Sequence, residues 1–145
     1  MTTLQEVVDL GRRDSFLAVV STLRSDGTIQ SSVVNVGVLP HPGDQGDVVA
    51  FVTYGRTKLA NLRVRPQLSI TLRAGRQWAT VEGTAELIGP DDPHPDLDAE
   101  RIRLLLRDVF SAAGGTHDDW DAYDKEMAEQ RRTAVLVRPT RLYSN

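Results

Sequence analysis

The chain has 145 residues, with 20 acidic and 17 basic side chains, a formal charge of −3 and no cysteine. That length suits one domain with one core, in which about 68–70% of the unfolded surface is buried on folding. The missing cysteine excludes disulfides, cysteine-ligated zinc, iron–sulfur clusters and a thiol nucleophile, and no run of 18 apolar residues offers a membrane span. Met1–Glu6 lacks the basic start and apolar run of a signal peptide. The expectation is a single domain over residues 1–145, located in the cytoplasm.

Thr2 or Thr3 followed by Glu6 predicts a capping box, with Leu4, Val7, Val8 and Leu10 on one helical face and a stop at Gly11. Ser15–Leu23 is rich in β-branched residues and reads as a strand. Ser25-Asp26-Gly27 is a hairpin signal, and Thr28–Leu39 reads as the returning strand. Pro40–Gly46, with two prolines, is a loop. Asp47–Tyr54 is a third strand, so continuously apolar that burial on both faces is expected.

Gly55 breaks that strand, and Arg56–Val64 has a helical pattern that ends before Pro66. Leu68–Leu72 and Gln77–Ile88 read as the fourth and fifth strands. Gly89–Pro95 is an acidic loop, after which Asp96 or Asp98 caps a helix reaching about Ala113. A further helix over His117–Gln130 and a last strand over Thr133–Leu142 complete the chain. Strands do not alternate with crossover helices, which argues against a doubly wound parallel sheet. The predicted fold class is mainly β (α+β), a six-stranded antiparallel barrel with peripheral helices.

The small net charge hides segregation. Residues 56–76 hold Arg56, Lys58, Arg63, Arg65, Arg73 and Arg76 with no acid, while residues 89–126 hold eleven acids against four bases. The bias to arginine over lysine is first a statement about codons.

Fingerprints of the common enzyme classes are missing: there is no G-x-G-x-x-G, Walker loop, H-E-x-x-H or G-x-S-x-G. His41, His94 and His117 fall in predicted loops or at a helix start, and none has a metal-ligand spacing from another. Asp91, Asp92, His94 and Asp96 are more simply a solvated, helix-capping loop than a metal site. Asp118, Asp119 and Asp121 sit where acids favour a helix N-terminus. Glu82 reads as a ladder-edge or ion-paired residue before a general acid.

One constellation carries chemistry: Thr53-Tyr54-Gly55-Arg56-Thr57-Lys58. A buried strand delivers a hydroxyl, then a glycine turn, then a helix start whose free N–H groups attract anions. Arg56 and Lys58 add a forked donor and a flexible point charge, although cations there oppose the helix dipole. The pattern points to an anion site; a helix start carrying solvated cations is the plainer alternative. Aromatic residues are scattered and the net charge is negative, so nucleic acid is not the expected partner. A phosphorylated small molecule fits better.

The residues resemble the split β-barrel flavin and deazaflavin oxidoreductases related to pyridoxamine 5′-phosphate oxidase. The likeness is carried by FLAVVSTLRSDGTIQSS, by Arg56–Pro66 (R-x-K-x-x-N-L-x-x-x-P) and by Trp78–Leu87 (WATVEGTAEL). The stretch Asp118–Leu142 is similar to the actinobacterial branch that uses coenzyme F420. The resemblance implies that Arg56 and Lys58 hold the cofactor phosphate, with Thr57 beside them and Thr53 at the strand end. It also implies that Gln30 and Ser32 border the ring and that Trp78 stands at the groove mouth, there on behalf of the partner subunit or simply as a sheet-edge aromatic.

Further implications are a homodimer with two sites at its interface, F420 as cofactor with FMN as the alternative, and hydride transfer to an electron-poor double bond of a quinone, enone or tetrapyrrole. The proton donor is open among Tyr54, a water and a group on the partner chain. Arg63, Arg65, Arg73 and Arg76 are candidates for a basic path along the polyglutamate tail of F420. The chain ends without the basic C-terminal substrate motif of true pyridoxamine-phosphate oxidases. A non-catalytic barrel binding flavin, deazaflavin or haem is the rival reading, the haem version lacking a convincing axial ligand.

Overall fold

A computed structural model describes every residue except Gln45, which falls in the expected Pro40–Gly46 loop and lies outside the described residues. The elements are α1 (Leu4–Arg12), β1 (Leu17–Leu23), β2 (Ile29–Asn35), β3 (Gly37–Pro40), β4 (Asp47–Thr53), α2 (Arg56–Val64), β5 (Gln67–Ala74), β6 (Gln77–Ile88), α3 (Ala99–Ala112), α4 (Trp120–Glu129) and β7 (Thr133–Ser144). The fold is mainly β with helices, and its strands form one antiparallel sheet in the order β2-β1-β5-β6-β7-β4-β3.

Two expectations need correction. The sheet has seven strands rather than six, because Thr28–Leu39 is divided at Val36 into β2, which pairs with β1, and β3, which pairs with β4. The break has a tertiary cause: Gly37 passes so close to the end of α3 that a Cβ there would stand 2.4 Å from the Ala112 carbonyl carbon. Nor do hydrogen bonds close the sheet into a barrel. Its two edges, β2 and β3, are not paired with each other, although Val36 alone separates them in the chain.

Local signals mostly decide the helices. Thr3 and Glu6 form the reciprocal capping box on α1. That helix runs through Gly11 to Arg12, and the reversal follows at Ser15 and Phe16, both at φ 57°. Asp98 caps α3 by accepting from the Arg101 N–H at 2.8 Å, and Asp119 caps α4 from Ala122. Two arginines of α3, Arg103 and Arg107, bind the Asp124 carboxylate of α4, which fixes the helix pair.

Alternation along β4 and β7 divides the interior in two. Val49 and Phe51, with Val135 and Val137, join Val20, Ile70 and Val81 in the inner core. Val48 and Ala50, with Ala134 and Leu136, face the other way and pack beneath Leu105, Leu106 and Val109 of α3 and Tyr123 and Met127 of α4. The expected two-sided burial of the third strand is thus observed. Helix α2 adds Leu59 and Leu62 to the inner core, each worth roughly 1.5–3 kcal/mol of burial.

The outer face of β1 and β2 has no such cover. Leu17, Val19, Ile29 and Val33 stand there 40–63% exposed, and the register sets Val19 opposite Val33 and Leu23 opposite Ile29.

The acidic loop is also less solvated than expected. Asp92 takes a two-pronged bond from Arg63 at 2.9 and 2.6 Å, and Asp91 pairs with Arg131. No cluster of three metal-ligating side chains occurs among the described residues. No helix is long and apolar enough to cross a membrane.

Candidate functional site

The site is built where β4 ends. Thr53 points to the inner side, 5% exposed, and its Oγ1 accepts the Gly55 N–H at 3.1 Å, which turns the chain into α2. Gly55 is an extended N-cap without a side-chain capping bond, and the first turn carries no acid. The N–H groups of that turn are therefore free of intrahelical partners. Arg56 and Thr57 flank them in solvent.

Lys58 is different. It is 6% exposed, with Nζ 5.5 Å from the centre of the Phe51 ring. It forms no ion pair among the described residues. Burial, with no opposing acid, pushes its pKa below the ordinary lysine value. Withdrawing an ammonium even partly from water without a counter-charge is unfavourable, and an anion seated on the start of α2 would offset that cost.

Other inner-face polar groups lack partners as well. Thr133, the cross-strand neighbour of Thr53, is 1% exposed and its hydroxyl makes no hydrogen bond. The buried hydroxyl of Ser32 on β2 is likewise unpaired. Gln30 lies two residues before it on the same face, alternating with the exposed Ile29, Ser31 and Val33. Its Oε1 accepts from the Thr22 hydroxyl at 3.2 Å, and Thr22 in turn accepts from Asn61 of α2 at 3.0 Å. The structure thus connects Gln30 to the helix that carries Lys58.

Trp78 is not brought to this place within one chain. It opens β6 opposite Arg73 and packs edge-on against Tyr143 at 6.1 Å. The start of α2 follows Thr53, whose partner Thr133 adjoins the Ala134–Ile88 pair at the far end of β6. Trp78 and Ile88 lie ten residues apart along β6, about 33 Å of strand at the usual rise per residue.

The proposed basic path is also broken. Arg63 is neutralised by Asp92, Arg65 donates to the Leu23 carbonyl, and Arg73 sits with Arg76 at the Trp78 end. The histidines are engaged elsewhere. His41, expected in an open loop, is 7% exposed with Nε2 2.6 Å from Glu86, and His94 lies 3.7 Å from that same carboxylate. His117 packs among the rings of Phe110, Trp120 and Tyr123.

Asn61 is a fixed position of the R-x-K-x-x-N-L-x-x-x-P pattern to which the sequence assigned no role. Its signal was spacing: three residues after Lys58, between Leu59 and Leu62, it shares their buried face. The Arg132 guanidinium, 4.0 Å over the Tyr54 ring beside the site, had no local signal.

The molecule is therefore an antiparallel β protein with an uncapped, cation-bearing helix start and unpaired inner hydroxyls beside its sheet. It belongs to the pyridoxamine 5′-phosphate oxidase family, whose model matches residues 4–145. Among solved structures it is similar to a pyridoxamine 5′-phosphate oxidase-related, FMN-binding protein from Nostoc punctiforme, at 16% identity over 99% of this chain and 86% of that one, with a TM-score of 0.63. An F420 reductase matches at 19% identity over 89% and 90% of the two chains, TM-score 0.59. The haem storage protein HutZ from Vibrio cholerae matches at 14% over 97% and 90%, TM-score 0.54. At these identities the likeness shows the fold, which hosts different chemistries.

Proposed function

We propose that this chain binds a phosphorylated flavin-type cofactor, coenzyme F420 in the first place and FMN as the alternative, and that it is a reductase acting on a small electron-poor substrate of quinone, enone or tetrapyrrole type. The observation that carries this reading is Lys58, a buried ammonium with no acid facing it. Arg56, Lys58, the Thr57 hydroxyl and the free N–H groups of α2 would hold the phosphate. An unpaired Thr133 hydroxyl beside Thr53, and that of Ser32 on the inner face, suit a ligand rich in hydrogen-bonding edges.

When bound, such a cofactor supplies the hydride, and the protein supplies orientation and electrostatics. That division fits a sequence without the fingerprints of the common hydrolase and metalloenzyme classes. The preference for F420 rests on the resemblance of Asp118–Leu142, with an F420 reductase of the same fold in support.

A second copy of the chain completes the reading. The bare apolar strip of Leu17, Val19, Ile29 and Val33 is the face a partner would cover, and Trp78 would then serve the partner's site rather than its own.

Titration of the purified protein with F420 and with FMN tests the reading. Micromolar binding of F420, abolished in Lys58→Ala, is expected, and indifference to both cofactors would overturn it. Oxidation of the reduced cofactor is then followed against quinones, enones and tetrapyrroles. Turnover with one of them marks an enzyme; binding without turnover marks a carrier.

A further inference from the structure

Resting on the cofactor reading above, we infer that Asn61 and Thr22 are positioning residues that lock the Gln30 side chain, so that the site meets the cofactor ring with a hydrogen-bond donor at Gln30 and the ring must present an acceptor there.

The inference follows from hydrogen counting. The Thr22 hydroxyl has one proton and is 1% exposed, out of reach of competing water. It accepts from Asn61 Nδ2 at 3.0 Å, so its own proton goes to Gln30 Oε1 at 3.2 Å. With one lone pair of its carbonyl engaged by Thr22 and the amide so oriented, Gln30 turns its two Nε2 protons away from the relay, and these have no protein acceptor among the described residues. Turning the Gln30 amide over would set its N–H against a hydroxyl that already accepts one from Asn61 and has its own proton to place.

The relay is anchored at its buried end. Asn61 lies three residues after Lys58 on the same face of α2 and is 6% exposed. Ser32, whose hydroxyl has no partner, is held by no such relay, so the fixed donor is confined to Gln30.

The relay acts on the ring and not on the phosphate, and the experiment uses that difference. Whichever cofactor the wild type binds is titrated alongside its riboside lacking the phosphate, namely riboflavin or the deazaflavin riboside. In Thr22→Val both ligands lose affinity by the same factor, about fivefold for one unlocked hydrogen bond. The visible absorption band of the bound ring moves, and competition by inorganic phosphate is unchanged. Thr22→Ser restores both affinity and band position.

Gln30→Glu, which offers an acceptor in place of the donor, weakens the riboside by at least that factor, and its half-buried surface position makes folding safe if Thr22→Val does not fold. Wild-type binding with riboside affinity and spectrum unaltered in Thr22→Val, or in Gln30→Glu, overturns the relay alone. Wild-type indifference to both cofactors overturns the cofactor reading and the relay with it.

Discussion

Strands β1 and β4 read alike in sequence: Leu17-Ala18-Val19-Val20 and Val48-Val49-Ala50-Phe51 are both unbroken apolar runs. They are treated differently by the fold. The outer residues of β4, Val48 and Ala50, are fully buried beneath α3 and α4, whereas those of β1, Leu17 and Val19, are 40% and 42% exposed. Two-sided apolarity thus says that both faces of a strand are meant to be dry. It does not say that the same chain dries them. On the proposed reading, the exposed half is the face a second copy would cover.

The sharpest way to probe that contrast is to cut into the covered half. Leu136→Ala removes a fully buried side chain between the sheet and α3. It is expected to cost about 2–5 kcal/mol, read by urea unfolding, with the same loss at every protein concentration. A loss that grows on dilution would show that the covered half also depends on a partner.

A smaller effect is expected at the clamp over that half. Asp124 is held below the ordinary aspartate pKa, first by the Arg107 hydrogen bond and then by Arg103. A depressed carboxylate contributes stability above its unfolded pKa and loses it as pH falls through the folded value. Asp124→Asn should therefore cost roughly 1 kcal/mol at neutral pH, with the gap to wild type closing below about pH 4. A constant gap down to pH 3 would show that packing, and not charge, is what Asp124 provides.

The smallest effect on the single chain belongs to the bare half. Val33→Glu sits on an exposed face, so the stability of an isolated chain should change by about 0.5 kcal/mol or less. Association should nonetheless disappear: sedimentation gives a dimer for wild type and a monomer for the variant, and only the wild-type melting temperature rises with concentration. A wild type that sediments as a monomer would break the contrast outright.

These two halves also show what could be read from the chain. Features decided within a few residues were legible, as with the Thr3–Glu6 box, a cap for α3 at Asp96 or Asp98 and the Thr53–Lys58 turn, although α4 starts at Trp120, behind its Asp119 cap, rather than at His117. Features decided by distant partners were not. The split at Val36 depends on where Ala112 arrives, and the pairing of Arg63 with Asp92 removes a cation that the local charge pattern leaves free. Trp78 could be placed on a strand, but its separation from Lys58 depends on how far β6 runs before it pairs with the start of β7. His41 gave no sign of burial, since its cover is Glu86, forty-five residues on.

The place of β7 in the sheet has a consequence for how the molecule is made. It is the last strand in the sequence yet lies inside the sheet, joining β6 on one side to β4 on the other. During synthesis the β3–β4 hairpin must therefore wait for most of the chain with its edge unpaired and both faces apolar. That is the kind of surface on which strands from other chains add. The step that completes this protein's sheet is also the step that withdraws the β4 edge from such additions.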